Sequence, residues 1–379
     1  MAIYVVEQGD NVNIIADYYG IDVNRLIYDN QLVYPYALAI GQALYVAQDD
    51  VDNRNGTMRI NGYAYPFIQR DILSETLDYL TELSIFSYGF TTTGNLIPPT
   101  VAYQWMITLA REKSAIPILT LTPLDAQGKF NNNLITAVLN DSNSTNQLIQ
   151  NLLDEVNERG FGGVDVDFEY ILETDRDAFT TFVARLRNVM NENGYSVSVA
   201  LAPQNSPTDL NKLNVGMDYG GLGAAADRVL LMTYEYGYKY GPNLAIAPID
   251  EVRKVVEYAI TQIPRNKINL GIPNYGYDWP LPYINGVTEA DTITNVEAVQ
   301  IAVRTGSTIQ YDTVSQAPFF NYTYQGVNHE VWFEDVRSIL AKINLIREYG
   351  LEGAGYWQIN SLFRANWLLL NSETNILKI

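Results

Sequence analysis

The sequence predicts an α/β chain: a (β/α)8 barrel with a small α+β insertion between strands 7 and 8, preceded by a small βααβ module. Three observations carry this. From about Ile60 to the C-terminus, eight short apolar runs alternate with stretches of helical period, the pattern of a parallel sheet covered by crossover helices. The first 47 residues show another order, strand, helix, helix, strand, and a polar, turn-rich run at 49–56 sets them apart. Residues 163–170 read GVDVDFEY, with three acids on alternate positions. The expected division is a module at 1–48, a linker at 49–56 and the barrel at 57–379, with the insertion at about 285–330. An open doubly wound sheet is the competing reading, but no GxGxxG turn follows the first strand.

In the module, a β-rich run at 3–6 ends in Gly9-Asp10-Asn11, a turn that also supplies a helix N-cap. Val12, Ile15, Ala16 and Tyr19 follow at helical spacing, and Gly20 closes that helix. A second short helix covers about 23–28, and 41–46 returns as a strand. The barrel strands are expected at 60–65, 82–90, 117–122, 163–170, 196–203, 227–234, 267–273 and 353–359. Helical periods occupy 71–81, 146–159, 176–192, 249–262 and 333–349. Within the insertion, 297–305 reads as helix, and 308–311 and 314–324 read as strands.

Composition narrows the chemistry. With 379 residues, 47% hydrophobic and 18% charged, the chain can bury a large core, which excludes wholesale disorder. Cys 0 excludes disulfides and thiolate sites, and the single histidine, His329, excludes any site built on two imidazoles. Carboxylates, hydroxyls, amides and aromatics must therefore do the work. Lys+Arg 24 against Asp+Glu 43 gives a net charge of −19, a field that repels nucleic acid and anionic membranes. The 28 tyrosines suit a hydroxyl-rich ligand whose CH faces stack on rings. The start, MAIYVVEQGDN, lacks a basic region and an apolar run, so no signal peptide is expected. No run of 18 apolar residues occurs, so no membrane span is expected either.

On a strand, Asp165, Asp167 and Glu169 share one face, while Val164, Val166 and Phe168 take the other. In a barrel the acids rise toward the C-terminal mouth, where active sites of this fold sit. Three carboxylates so close cannot all ionise cheaply, and one raised pKa is what a general acid near neutral pH needs.

Two resemblances sharpen these readings. The module is similar to LysM modules through Tyr4, Val6, Gly9, Asp10, Ile15, Ala16, Tyr19, Gly20, Asn30, Leu32, Gly41, Gln42, Leu44 and Val46. It departs at Asn11, where Thr is usual, and in a longer 33–40 loop. The resemblance implies binding of N-acetylglucosamine-containing glycans through Gly9, Asp10, Asn11, Val12 and Leu32. The barrel resembles glycoside hydrolase family 18, the chitinase-like barrels. The acid motif matches the end of DxxDxDxE, Tyr234 with Glu235 stands at MxYD, 271–276 matches GxPxYG, and Trp357 matches the tryptophan ending strand eight. Gly162 replaces the motif's first Asp, Leu119-Thr120-Leu121-Thr122 replaces SxGG, and Glu235 replaces an Asp. With the LysM module, these departures look like the branch of spore cortical-fragment-lytic N-acetylglucosaminidases.

The resemblance implies a retaining, substrate-assisted hydrolase that needs no metal and no cofactor: Glu169 as acid and base, Asp167 on the acetamido group, Asp165 behind it and Tyr234 as donor. It implies Trp357 as the floor of the sugar site. Gln204 and Asn274 at strand ends, Glu235, and the rings of Tyr65, Tyr88, Tyr236 and Trp279 are further candidate contacts; His329 reads as structural or surface. The expected partner is an N-acetylglucosamine glycan, peptidoglycan or chitin-like, met by a monomer associated with the spore, or otherwise cytoplasmic or non-classically exported. A chitin-oligomer hydrolase and a non-catalytic lectin-like protein are the other readings, and the intact Glu169 weighs against the lectin.

Overall fold

The computed structural model describes residues 1–48 and 54–379; positions 49–53 of the expected linker lie outside them. The module pairs Ala2–Val5 antiparallel with Ala43–Val46 and packs the helices Val12–Tyr19 and Val23–Asp29 against that ribbon. Asn11 caps the first helix by accepting from the N–H groups of Asn13 and Ile14, and Gly20 ends it at φ +66°. Asn30 explains its place in the pattern. Its Nδ2 donates to the carbonyls of Leu26 (2.9 Å) and Tyr45 (2.8 Å), and its Oδ1 accepts from the Tyr45 N–H (2.7 Å), tying the second helix to the second strand.

The barrel closes through eight parallel strands: Thr57–Ala64, Glu82–Phe90, Ile116–Leu121, Gly163–Val166, Ser196–Leu201, Arg228–Leu231, Ile268–Pro273 and Gly353–Trp357. Each pairs with the next, and the eighth returns to the first. The fourth strand ends at Val166, earlier than the expected 170, because parallel pairing stops where the chain turns outward at the mouth. Helices at Gln104–Glu112, Asn133–Leu139, Tyr219–Ala225 and Arg364–Glu373 complete the outer layer. Buried ion pairs close the opposite end: Arg59 meets Glu82 (2.8 Å) and Glu352 (3.1 Å), and Arg228 also reaches Glu82 (2.8 Å).

The insertion is wider than the expected 285–330. Its five-stranded antiparallel sheet runs from Gly276–Leu281 to Val327–Trp332 and carries the helix Asn295–Thr305. Its first strand follows the seventh barrel strand after only Asn274 and Tyr275, so no turn signal marks the change of sheet.

The module does not hang from a free tether. Tyr45 and Ala47 lie in the same buried cluster as the barrel core, and Met1, Ile3 and Ala43 pack against that cluster. The polar composition of 49–56 suggests two separable bodies, but the strand following the module's helices is apolar on both faces, and its second face belongs to the barrel.

Candidate active site

A cavity of about 350 Å³ opens at the C-terminal mouth of the barrel. Asp167 and Glu169 line it together with Tyr65, Phe86, Tyr234, Glu235, Tyr236 and Trp357. The alternation of the motif continues past the strand. Phe168 turns the other way and stacks on Phe179 and Phe182 of the helix Arg176–Glu192, which anchors the two acids from behind.

Asp165 is fully buried below them. Ser198 donates to its Oδ1 (2.6 Å) and Tyr63 to its Oδ2 (3.0 Å). Burial holds its carboxyl up at about 6, against the downward pull of those two hydrogen bonds. Asp167 is raised well above the usual carboxylate range by burial, and the charges of Glu169 and Asp165 add to this. Its buried Oδ1 has no hydrogen-bond partner among the described residues. Glu169 is half-buried and also raised, by burial first and then by Glu235. Tyr234 is pushed up by burial and then by the neighbouring carboxylates, so its hydroxyl stays a proton donor. Among the described residues, no cluster of three acids or imidazoles is arranged to hold a metal.

Glu235 adopts a left-handed backbone conformation, φ +65°, uncommon for a residue with a side chain. Hydroxyls of Tyr275 and of Tyr277 (3.0 Å) donate to its carboxylate and fix it beside the mouth. Trp357 forms an aromatic wall with Tyr65 (centroids 5.8 Å), Phe86 (4.8 Å) and Tyr63 (5.8 Å). Gly162, where the motif's first Asp is missing, has no room for a side chain: a Cβ there would stand 2.3 Å from Ile116 Cγ2.

Four expected contacts fall elsewhere. Tyr88 is fully buried and points outward, donating to Tyr103 (2.5 Å) and Glu155 (2.9 Å) and packing on Phe161. A bulge between Ile85 and Tyr88 sets three residues against two on the third strand and reverses its parity, so Phe86 takes the inner position. Gln204 is buried and spends its amide on the Ser206 carbonyl (2.9 Å). Asn274 donates to the carbonyls of Gln358 (3.0 Å) and Ser361 (2.9 Å), bracing the loop after the eighth strand. Trp279 is buried against Tyr277 with its N–H on Gly241 O, and His329 pairs with Asp278 (2.8 Å) on the insertion.

Tyr63, Ser198 and Phe86 belong to no sequence motif that marks the site. Ser198 sits opposite Asp165 in the parallel register of strands four and five, a signal that becomes readable once the strands are aligned.

Beyond geometry, the Glycosyl hydrolases family 18 model matches residues 127–361, and the LysM domain model matches residues 4–47. The chain belongs to glycosyl hydrolase family 18. The match begins after the third strand, where SxGG is replaced. The cortical fragment-lytic enzyme of Bacillus subtilis (strain 168) is 35% identical over the whole of this chain and 99% of its own length. That of Bacillus anthracis is 38% identical over 79% of this chain and 69% of its own. The crystal structure of the Bacillus megaterium QM B1551 spore cortex-lytic enzyme SleL covers 100% of this chain and 99% of its own, with a TM-score of 0.92 and 31% identity. This family 18 protein is thus a glycosidase with a LysM module, two parts that bind N-acetylglucosamine glycans.

Proposed function

We propose that the chain hydrolyses N-acetylglucosaminyl bonds in spore cortex peptidoglycan fragments, with retention, by a substrate-assisted mechanism. Full-length similarity to cortical fragment-lytic enzymes supports the substrate. The observation that carries the mechanism is Asp167 beside Glu169 in one cavity, with a buried oxygen of Asp167 left without a donor. A buried acceptor without a partner is costly, and the N–H of a bound 2-acetamido group would satisfy it.

Glu169 donates its proton to the glycosidic oxygen as the bond to the anomeric carbon breaks. The acetamido carbonyl oxygen attacks that carbon and forms an oxazolinium ion. Asp167 accepts from the acetamido N–H and balances the positive charge, with Asp165 below it, while Tyr234 donates to the acetamido oxygen. Glu169 then takes a proton from water, which opens the ring and leaves the β configuration. This departs from both two-carboxylate schemes, because the substrate supplies the nucleophile. All these groups come from one chain, which supports action as a monomer, and the substrate places that action at the spore.

Mass spectrometry of digests separates cortex fragments from chitin oligomers, and an NMR time course reads the first anomer formed. Release of N-acetylglucosamine ends from cortex fragments as the β anomer is expected. An α product would mean direct attack by water and would rule out substrate assistance, whereas equal cleavage of substrates lacking the N-acetyl group would return the nucleophile to a carboxylate.

A further inference from the structure

The module and the catalytic body meet at two clamps. At one, the Ile309 N–H donates to the Ile40 carbonyl (2.8 Å) and Arg337 to that of Gly41 (3.2 Å). The approach is so close that a Cβ on Gly41, at φ +82°, would lie 1.9 Å from Ile309 O. At the other, the Arg364 N–H donates to Gln31 Oε1 (2.7 Å), Gln31 donates back to Leu362 O (3.2 Å), and the Arg364 guanidinium lies 3.8 Å from the centre of the Tyr28 ring.

Beside these clamps runs a groove of about 260 Å³. One wall is the module's loop at 32–35. The other is the insertion helix Asn295–Thr305, whose Val296, Val299, Gln300, Val303 and Arg304 recur at spacings of three and four and so share a face. Tyr34, 80% exposed, stands in the first wall, so its ring is free to be stacked upon. Gln300 and Arg304 form no hydrogen bond or ion pair among the described residues. Two acids also line the groove, but Glu334 is paired with Lys342 (2.8 Å) and Asp335 with Arg337 (2.6 Å), which leaves Arg304 as the charge on its lining free to meet a ligand.

We propose that this groove is a second glycan site, shared by the module and the insertion, for an N-acetylated sugar chain that carries carboxylates. Apolar sugar faces would lie on Tyr34 and the valines, an acetamido group on Gln300, and a carboxylate at the muramic branch on Arg304, that of the lactyl group where it carries no peptide and that of the stem where it does. The groove is pre-formed, since the hydrogen bonds of the two clamps hold the module against the insertion and the barrel, and binding has little ordering to overcome. A neutral chitin strand would leave Arg304 unused, so the site would favour the muramic-containing strand. This rests on the peptidoglycan reading above and places part of the selectivity outside the catalytic mouth.

The test is calorimetry on the full-length chain carrying Glu169→Gln to prevent turnover. The probes are a peptide-free tetrasaccharide of alternating N-acetylglucosamine and N-acetylmuramic acid, the same glycan bearing stem peptides, and chitotetraose. Arg304→Glu, on an exposed helix position, should weaken tetrasaccharide binding about ten-fold or more, the scale of a lost charge-assisted hydrogen bond, and chitotetraose binding less than two-fold. Gln300→Trp, which fills the groove, should weaken both. With Glu169 restored, Arg304→Glu should cleave a short aryl N-acetylglucosaminide like the parent. Unchanged binding of every probe in both variants would overturn the site. A loss confined to the peptide-bearing glycan would overturn the lactyl assignment. Failure of the unsubstituted enzyme to cleave cortex fragments would instead sink the functional reading, in an assay separate from these binding measurements.

Discussion

Glu169 sits close enough to Asp167 to raise that residue's cost of ionising, and only one of the two needs its proton to start the reaction. Glu169→Gln keeps the shape and removes that proton. Turnover should fall by ~10²–10⁴-fold or more while glycan affinity is retained, as read by steady-state kinetics and calorimetry side by side. Asp165 makes a different prediction. Its carboxyl titrates at about 6 when folded against 3.8 as reference, so folding favours its protonated form. That contribution is fully present below about pH 4 and is lost as pH rises through 6. At pH 7 the buried charge therefore costs stability, at most about 3 kcal/mol by linkage. Asp165→Asn should stabilise the fold in urea at pH 7, with the difference shrinking toward pH 4, while activity falls. Equal effects at both pH values would show that its titration plays no part. The three acids were legible because strand alternation survives the end of the strand. Ser198 and Tyr63 were not, since their roles appear only across a register that one sequence does not print.

Among the elements, the second barrel strand shows most clearly what periodicity can miss. Strict alternation puts Tyr88 on the same face as Phe86; the bulge removes it from the mouth and gives its hydroxyl to Glu155. Tyr88→Phe should therefore leave turnover of short substrates within about two-fold and lower stability by ~1 kcal/mol, the net worth of a buried hydrogen bond. Trp357→Ala should do the reverse in activity, raising KM strongly because it removes the aromatic wall. Comparable activity losses in the two variants would return Tyr88 to the site. Gln204 and Asn274 mislead for a related reason. Amides at strand ends can meet a ligand or brace a loop, and sequence spacing is identical in both cases. Long helices such as Arg176–Glu192 and Ile249–Gln262 were readable from their period. The short Tyr219–Ala225, with glycines at 220, 221 and 223, was not, because its helix rests on packing rather than propensity.

At the scale of the molecule, the module and barrel share a core that composition gives no hint of. Tyr45 and Ala47 are 6% and 4% exposed only because the barrel covers them, and Arg364 holds the module at Gln31 and Tyr28 while pairing with Glu75 (2.5 Å). Removing residues 1–48 therefore does two things at once. It strips a glycan-binding unit, which should weaken action on insoluble cortex by lowering the local concentration of substrate. It also uncovers apolar surface on the helices Val336–Tyr349 and Arg364–Glu373, which contact the module's second strand. The first effect should leave soluble fragments unaffected; the second should lower the melting temperature, by roughly 5 °C, whatever the substrate. Arg364→Ala separates them, because it loosens the clamp and keeps the module. It should reproduce part of the thermal loss with little change in affinity for insoluble cortex beyond what the shared groove contributes. A truncated barrel melting at the full-length temperature would mean that the shared core adds nothing to stability. The module would then be a tethered unit after all, as its polar linker first suggests.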